Sequence, residues 1–419
     1  MVLDLIPLLI ALAGLVFYTV LAGADFGAGV WQLLAGRGEH GHEIRDRTHR
    51  AIGPVWEANH VWLILVLTVV WTAYPVFFGS VASTLTLPIF LAALGIVLRG
   101  LSYALHSAID TPRERRVIDA GFSVCSVLTP FMLGTAVGAI ASGRVPVGNA
   151  AGNLVSSWTN ATSLMGGVLA VCAGAFLAAV YLAADSGRFA TPKLADAFRT
   201  RALISAVVTG LVALATLVVV DNDLPAFYRG LTHGLGLAAV IVSGVAGAAS
   251  FLLVWIRRYA IARLAAAVAV AALLGGWAAA QRPDLLPGLT LREGSADNAT
   301  MIAVIVSIVL GGAILFPSLA FLFRLSLSGR LYPDRRGPVE QHPDRADAAR
   351  PAWAARAALA GFVIGAVLLV FADDDAGHVV AIVAFACTAL LAFTAVGPDQ
   401  LGARPSEVHI EPPPRGPGW

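Results

Sequence analysis

Apolar runs long enough to cross a bilayer, which takes about 20 helical residues, recur along this chain, beginning at Leu5, Pro54, Val76, Val117, Ala161, Ala202, Leu231, Ala260 and Met301. Each predicts a membrane-spanning helix. Two shorter runs, Ala357 to Phe371 and Val379 to Val396, bracket Asp373, Asp374 and Asp375 and read as a further helical hairpin with a solvated acidic turn. Before that hairpin, Tyr332 to Arg350 is polar, with Pro333, Pro338 and Pro343 among mixed charges, as expected of a solvated linker. After Val396 the chain ends in a proline-rich tail, Glu411-Pro412-Pro413-Pro414-Arg415, whose composition suits disorder. The pattern divides the chain into a transmembrane core (1–330), a linker (331–356), an additional transmembrane hairpin (357–396) and a disordered tail (397–419). No internal repeat is visible in the sequence.

Composition agrees. Of the 419 residues 58% are hydrophobic and 13% charged, against roughly 25% charged in a soluble domain, and mean hydropathy is +0.79. The expected fold class is therefore an all-α polytopic membrane protein. A net charge of +2 with a single lysine, Lys193, gives no footprint for nucleic acid. Cys125, Cys172 and Cys387 stand singly in apolar runs and read as small buried hydrophobes. No basic stretch precedes the first run, which continues through Asp25 to Leu34, so this helix is expected to remain uncleaved.

Basic residues set the orientation, because Lys and Arg concentrate in short cytoplasmic loops. The connections after the first, third, fifth, seventh and ninth runs carry nearly all of them, for example Arg45, Arg47 and Arg50, then Arg113, Arg115 and Arg116, then Arg257, Arg258 and Arg263. The alternate connections hold only Arg144, Arg229, Arg282 and Arg292. An N-terminus outside the cytoplasm follows.

Two acids lie inside this apolar frame. Asp25 sits in Gly23-Ala24-Asp25-Phe26-Gly27-Ala28-Gly29, and Glu57 in Gly53-Pro54-Val55-Trp56-Glu57-Ala58-Asn59-His60-Val61-Trp62. An ionisable group at mid-bilayer costs roughly 2.5 to 3.5 kcal/mol on insertion scales, so such residues face a bundle interior or a wet path. The glycines admit a neighbouring helix close to Asp25. Pro54 suits a helix start, since its missing N–H would be unpaired in a first turn. Glu57 then lies one turn inside the second helix and Asp25 roughly 15 Å from the cytoplasmic end of the first, at 1.5 Å per residue. We read the two acids as a pair at successive depths, the geometry of a proton path. Trp56, Asn59 and Trp62 recur every three residues, while Glu57 and His60 share another part of the surface. Other roles compete. The tryptophans could be interfacial anchors, Glu57 a solvated first-turn acid favoured by the helix dipole, and Asp25 the counter-charge of Arg99. Arg99 could equally snorkel to the surface. His60 and His106 are possible haem ligands, but hydrogen bonding within a bundle is the stronger reading.

The two acidic blocks, with Tyr74-Pro75 and Leu98-Arg99-Gly100, then Pro283-Asp284-Leu285-Leu286-Pro287 and Ala313-Ile314-Leu315-Phe316-Pro317-Ser318-Leu319, together resemble subunit II of cytochrome bd-type quinol oxidases over residues 1–330. The resemblance implies a nine-helix core built as two four-helix bundles plus a peripheral helix, with the hairpin as two extra C-terminal helices. It implies a bacterial cell membrane location and a larger partner, subunit I, which carries haem b and haem d, oxidises quinol and reduces oxygen to water. This chain would bind no cofactor of its own, with room for a structural quinone, contacts to membrane lipid and a small accessory subunit. Asp25 and Glu57 fall on family acidic positions, Glu57 on the one assigned to proton delivery, with His60 beside it. Trp56, Asn59, Trp62 and Arg99 would serve structure or partner contact. The chain departs from the family at Tyr103-Ala104-Leu105-His106, where a carboxylate and a basic residue are missing. That departure keeps open a divergent paralogue serving assembly alone, and the intramembrane acids with their glycine-rich helices keep open a proton-coupled secondary transporter.

Overall fold

The computed structural model describes residues 2–36, 38–106, 112–189 and 192–327, with a few single positions between 357 and 384. The linker, the hairpin helices and the tail expected from the sequence lie outside the described residues.

Every one of the nine apolar runs falls on helical residues. In chain order the helices are α1 (Val2–Leu33), α2 (Glu39–Ala73), α3 (Pro75–Thr84), α4 (Thr86–His106), α5 (Pro112–Ala141), α6 (Ala161–Phe189), α7 (Pro192–Asp223), α8 (Pro225–Thr232), α9 (Gly234–Trp255) and α10 (Tyr259–Gln281). A two-stranded hairpin, β1 (Asp284–Leu286) and β2 (Leu289–Thr290), then leads through the single turn α11 (Leu291–Gly294) into α12 (Asn298–Leu327). Among the described residues, seven helices are long and apolar enough to cross a membrane alone, and the bent pair α2–α3 raises the number to eight. The ninth run lies on α12, whose Met301 is buried while Ile302, Val306, Val309 and Leu310 face outward.

Two sequence expectations need correction. The second helix begins at Glu39, not at Pro54, because its polar first half is amphipathic: Ile44 and Thr48, one turn apart, are both fully buried. The third run is two helices, not one. At Tyr74 (φ −134°, ψ 62°) the chain leaves α2 and turns by 117° into α3, with Pro75 opening the new helix.

That corner occurs again. Leu224 (φ −141°, ψ 66°) ends α7, and Pro225 opens the short α8 before α9 returns. In both corners the turning residue donates its N–H one turn back, Tyr74 to Val70 and Leu224 to Val220, and its carbonyl accepts from the fourth residue on, Phe78 or Tyr228. The order long, long, short, long, long therefore appears twice, as α1 to α5 and as α6 to α10. Within each set the first helix packs on the second and the fourth on the fifth; the sets meet where α6 lies against α1 and α5.

Small residues set the closest approaches. A Cβ on Gly27 would stand 1.9 Å from the Gly174 carbonyl oxygen of α6, and one on Gly29 would stand 2.1 Å from Ser126 Oγ of α5. In lipid, with no hydrophobic force between helices, such close backbone contact and its dispersion energy hold the bundle. Accordingly α6 is the central helix, with Leu177, Ala179, Val180 and Ala183 wholly buried. On α7, by contrast, Ile204, Val207, Leu211, Leu214 and Val218 form an outward stripe suited to hydrocarbon.

Replacing Gly27 by alanine is expected to push α1 off α6 and lower stability by about 1 to 3 kcal/mol, the usual cost of overpacking. Gly210→Ala on α7, where nothing lies within 4 Å, should cost nothing. Thermal melts of the two detergent-solubilised variants check the difference.

Candidate functional site

Four helices deliver polar groups to one point. Asp25 comes from α1, Asn59 from α2, Arg99 from α4 and Ser126 from α5, and all four are at most 1% exposed. The Arg99 guanidinium donates from Nη2 to Asp25 Oδ1 at 2.5 Å and from Nη1 to Oδ2 at 2.8 Å. Nη2 also reaches the Asp25 backbone carbonyl at 3.0 Å, and Nε donates to Ser126 Oγ at 2.9 Å. Asn59 Nδ2 donates to Asp25 Oδ2 at 2.9 Å. The planar cation is sandwiched between aromatic rings, 4.8 Å from the Phe26 centroid and 4.4 Å from that of Phe122.

This arrangement answers the cost of charge in oil. A bidentate carboxylate–guanidinium pair matches two parallel donors to two acceptors, and low polarity around it strengthens each bond. Ring faces on either side give the cation further favourable contact. Arg99 pairs with Asp25 and does not snorkel. Gly29 is what allows it, since any side chain there would strike the Ser126 hydroxyl that receives Nε.

Of the residues chosen from sequence, Asp25, Asn59 and Arg99 are brought together. Trp62 lies apart, stacked on Phe17 with ring centroids 4.5 Å apart. His60 is partly buried beside Asn59 in the chain. Trp56 and Glu57 lie on α2, and their side chains lie outside the described part of the structure, as does that of His106. Sequence reasoning missed Ser126, Phe26, Phe122 and Tyr18. A serine within a helix that also carries Ser123 and Thr129 has no distinguishing mark, although Phe26 adjoins the acid directly. Tyr18, two turns before Asp25 on α1, is buried with its hydroxyl unpartnered, and Asn59 Oδ1 is likewise a buried acceptor without a donor.

No three His, Cys, Asp or Glu among the described residues converge on one point. His42 is exposed and bonded to Asp46, and His233 is exposed at the end of α8 against the Arg229 carbonyl.

Residues 3–326 match the family model of cytochrome bd terminal oxidase subunit II. A relative from Bacillus subtilis (strain 168), a putative cytochrome bd menaquinol oxidase subunit II, is 25% identical over 332 residues, 76% of this chain and 94% of that protein. Subunit 2 of the cytochrome bd-I ubiquinol oxidase of Escherichia coli (strain K12) is 26% identical over 129 residues, 31% of this chain and 33% of that one. In three dimensions the chain resembles one from the bd oxidase of Geobacillus thermodenitrificans, with a TM-score of 0.61 and 23% identity over 78% of this chain and 99% of that one.

Removing one partner of the buried pair should be far worse than removing both. Arg99→Leu strands the Asp25 carboxylate and is expected to cost about 3 to 5 kcal/mol, whereas the double variant Asp25→Leu/Arg99→Leu should recover much of that loss. A double-mutant cycle on thermal stability in detergent measures the coupling.

Proposed function

The chain belongs to the cytochrome bd terminal oxidase subunit II family, and on that premise we propose that it supports a larger haem-bearing subunit and leads protons toward the site of oxygen reduction. Relatives in this family are subunits of a quinol oxidase, an oxidoreductase complex. The observation that carries the proposal is the family match over 3–326 on a chain whose buried polar cluster lies among four helices. In this reading redox chemistry belongs to the partner subunit, as the family membership supports. The arginine-rich end faces the cytoplasm, by the bias of the loops.

Within this reading Glu57 takes up protons and Asp25 acts as a fixed counter-charge. Both carboxylate oxygens accept from Arg99, which fixes Asp25 as the charge partner of that guanidinium. Tyr18 Oη and Asn59 Oδ1 supply unspent hydrogen-bonding capacity beside the pair, where a proton-carrying water would find two partners. His60 adjoins the same stretch of α2. Asn59 ties α2, the helix that carries Glu57, to the cluster.

A second reading has its own support. The pair is so fully bonded that it would serve equally as a staple in a subunit retained for assembly alone. Oxygen consumption separates the two. Glu57→Gln and Asp25→Asn are expected to slow turnover several-fold while haem content and co-purification of the larger subunit stay normal, and Glu57→Gln should also shift the pH profile. Unchanged turnover in both variants would leave the staple.

A further inference from the structure

A cavity of about 440 Å³ opens at the arginine-rich end of the second helix set, well apart in sequence from the Asp25 cluster. It is lined by Arg257, Arg258 and Tyr259 at the α9–α10 corner, by Arg263 one turn into α10, and by Ala184 and Gly187 of α6. The small residues of α6 leave the space, and the corner fills its rim with positive charge. We propose that this cavity holds the phosphate of an anionic phospholipid.

Charge is the first argument. Arg257 is paired with Asp196 at 2.8 Å, and Arg263 is bonded to Asp185 and to the Tyr181 carbonyl. Arg258 has no ion pair or side-chain hydrogen bond among the described residues, so the rim carries an uncompensated cation. Two lining residues also carry unspent donors: Arg263 Nε and the Tyr259 hydroxyl are buried and unpartnered. A phosphate oxygen is the kind of acceptor such donors lack. The first N–H groups of α10, a helix with no capping side chain, add their partial positive charge. The backbone is held for this purpose at some cost, since Arg257 adopts φ 62°, a left-handed conformation rare for a side chain of its size.

The surface beyond the cavity decides the kind of phosphate. Ile261, which lines the cavity, is followed on the same face of α10 by Leu264 and Val268, all exposed at spacings of three and four. This apolar strip starts at the charged rim and runs toward mid-membrane, where acyl chains lie. Trp255, the last residue of α9, and Ile256 after it are also exposed, and an exposed Trp at this end suits the headgroup region. A free phosphate would use the arginines and leave the strip unexplained. Basic pockets between membrane helices bind anionic headgroups in general.

The test uses the full chain, extracted in mild detergent with whatever subunits accompany it. Lipid retained after extended washing is quantified by mass spectrometry, and thermal midpoints are followed as phosphatidylglycerol, phosphatidylcholine or inorganic phosphate is added. The native complex should retain phosphatidylglycerol and be stabilised by it. Arg258→Gln, at a side chain that bonds to nothing else among the described residues, should lower phosphatidylglycerol binding about five-fold, the usual effect of one basic residue near an anionic surface, while Arg258→Lys keeps most of it. Tyr259→Phe should weaken binding without altering charge. Equal retention in native and Arg258→Gln complexes, equal stabilisation by phosphatidylcholine, or full replacement of phosphatidylglycerol by inorganic phosphate would each overturn the proposal. None of these readouts depends on proton transfer.

Discussion

A carboxylate and a guanidinium placed in hydrocarbon impose conditions that most of this fold then meets. Asp25 and Arg99 satisfy each other, but two oxygens and three nitrogens have more bonding capacity than one ion pair consumes, so Asn59 and Ser126 must arrive from two further helices. Four helices can meet at one side-chain cluster only if their axes come close. Glycine at 27 and 29 allows that on α1, against Gly174 of α6 and Ser126 of α5. The chemistry of the cluster and the packing of the bundle are therefore one constraint. Loosening the glycine contacts would lengthen the bonds, and losing the bonds would leave charge in oil.

The apolar runs were legible because hydrocarbon leaves few options: each of the nine fell on a helix. Asp25 and Arg99 were legible too, as ionisable residues in places that penalise them. Their pairing was legible only as one of several competing roles, since Asp25 and Arg99 lie far apart in the chain and sequence spacing carries no information about which helices touch. Ser126 was hidden for a different reason. A hydroxyl in a membrane helix can bond its own backbone, as Ser126 does to the Phe122 carbonyl, so its presence implies no partner elsewhere. Pro54 misled because proline at a helix start is common, and the buried face of Ile44 and Thr48 was overlooked in a stretch dominated by charge.

The repeated corner at Tyr74 and Leu224 shows why an internal symmetry can be invisible in sequence. What the corner needs is a backbone bend, a proline free of the duty to donate, and one hydrogen bond back into the ending helix. Only the proline is a residue requirement. Tyr74 is buried with its hydroxyl on the Asp4 carbonyl, whereas Leu224 makes no such bond. The flanking helices may differ wherever lipid or a partner surface faces them, because lipid asks only that a residue be apolar. Two halves can thus share a path through the membrane while keeping almost no common side chains.

Helical geometry also bears on how the two acids would divide their work. At 3.6 residues per turn, positions two apart on a helix point about 200° from each other. Asn59 meets Asp25, so position 57 lies on nearly the opposite side of α2 from the cluster. The buried pair, with Asn59 and Ser126, holds α1, α2, α4 and α5 in register, and so holds the stretch of α2 that bears position 57. Fixed charge therefore lies on one side of α2, and the helical repeat turns position 57 away from it on the same helix.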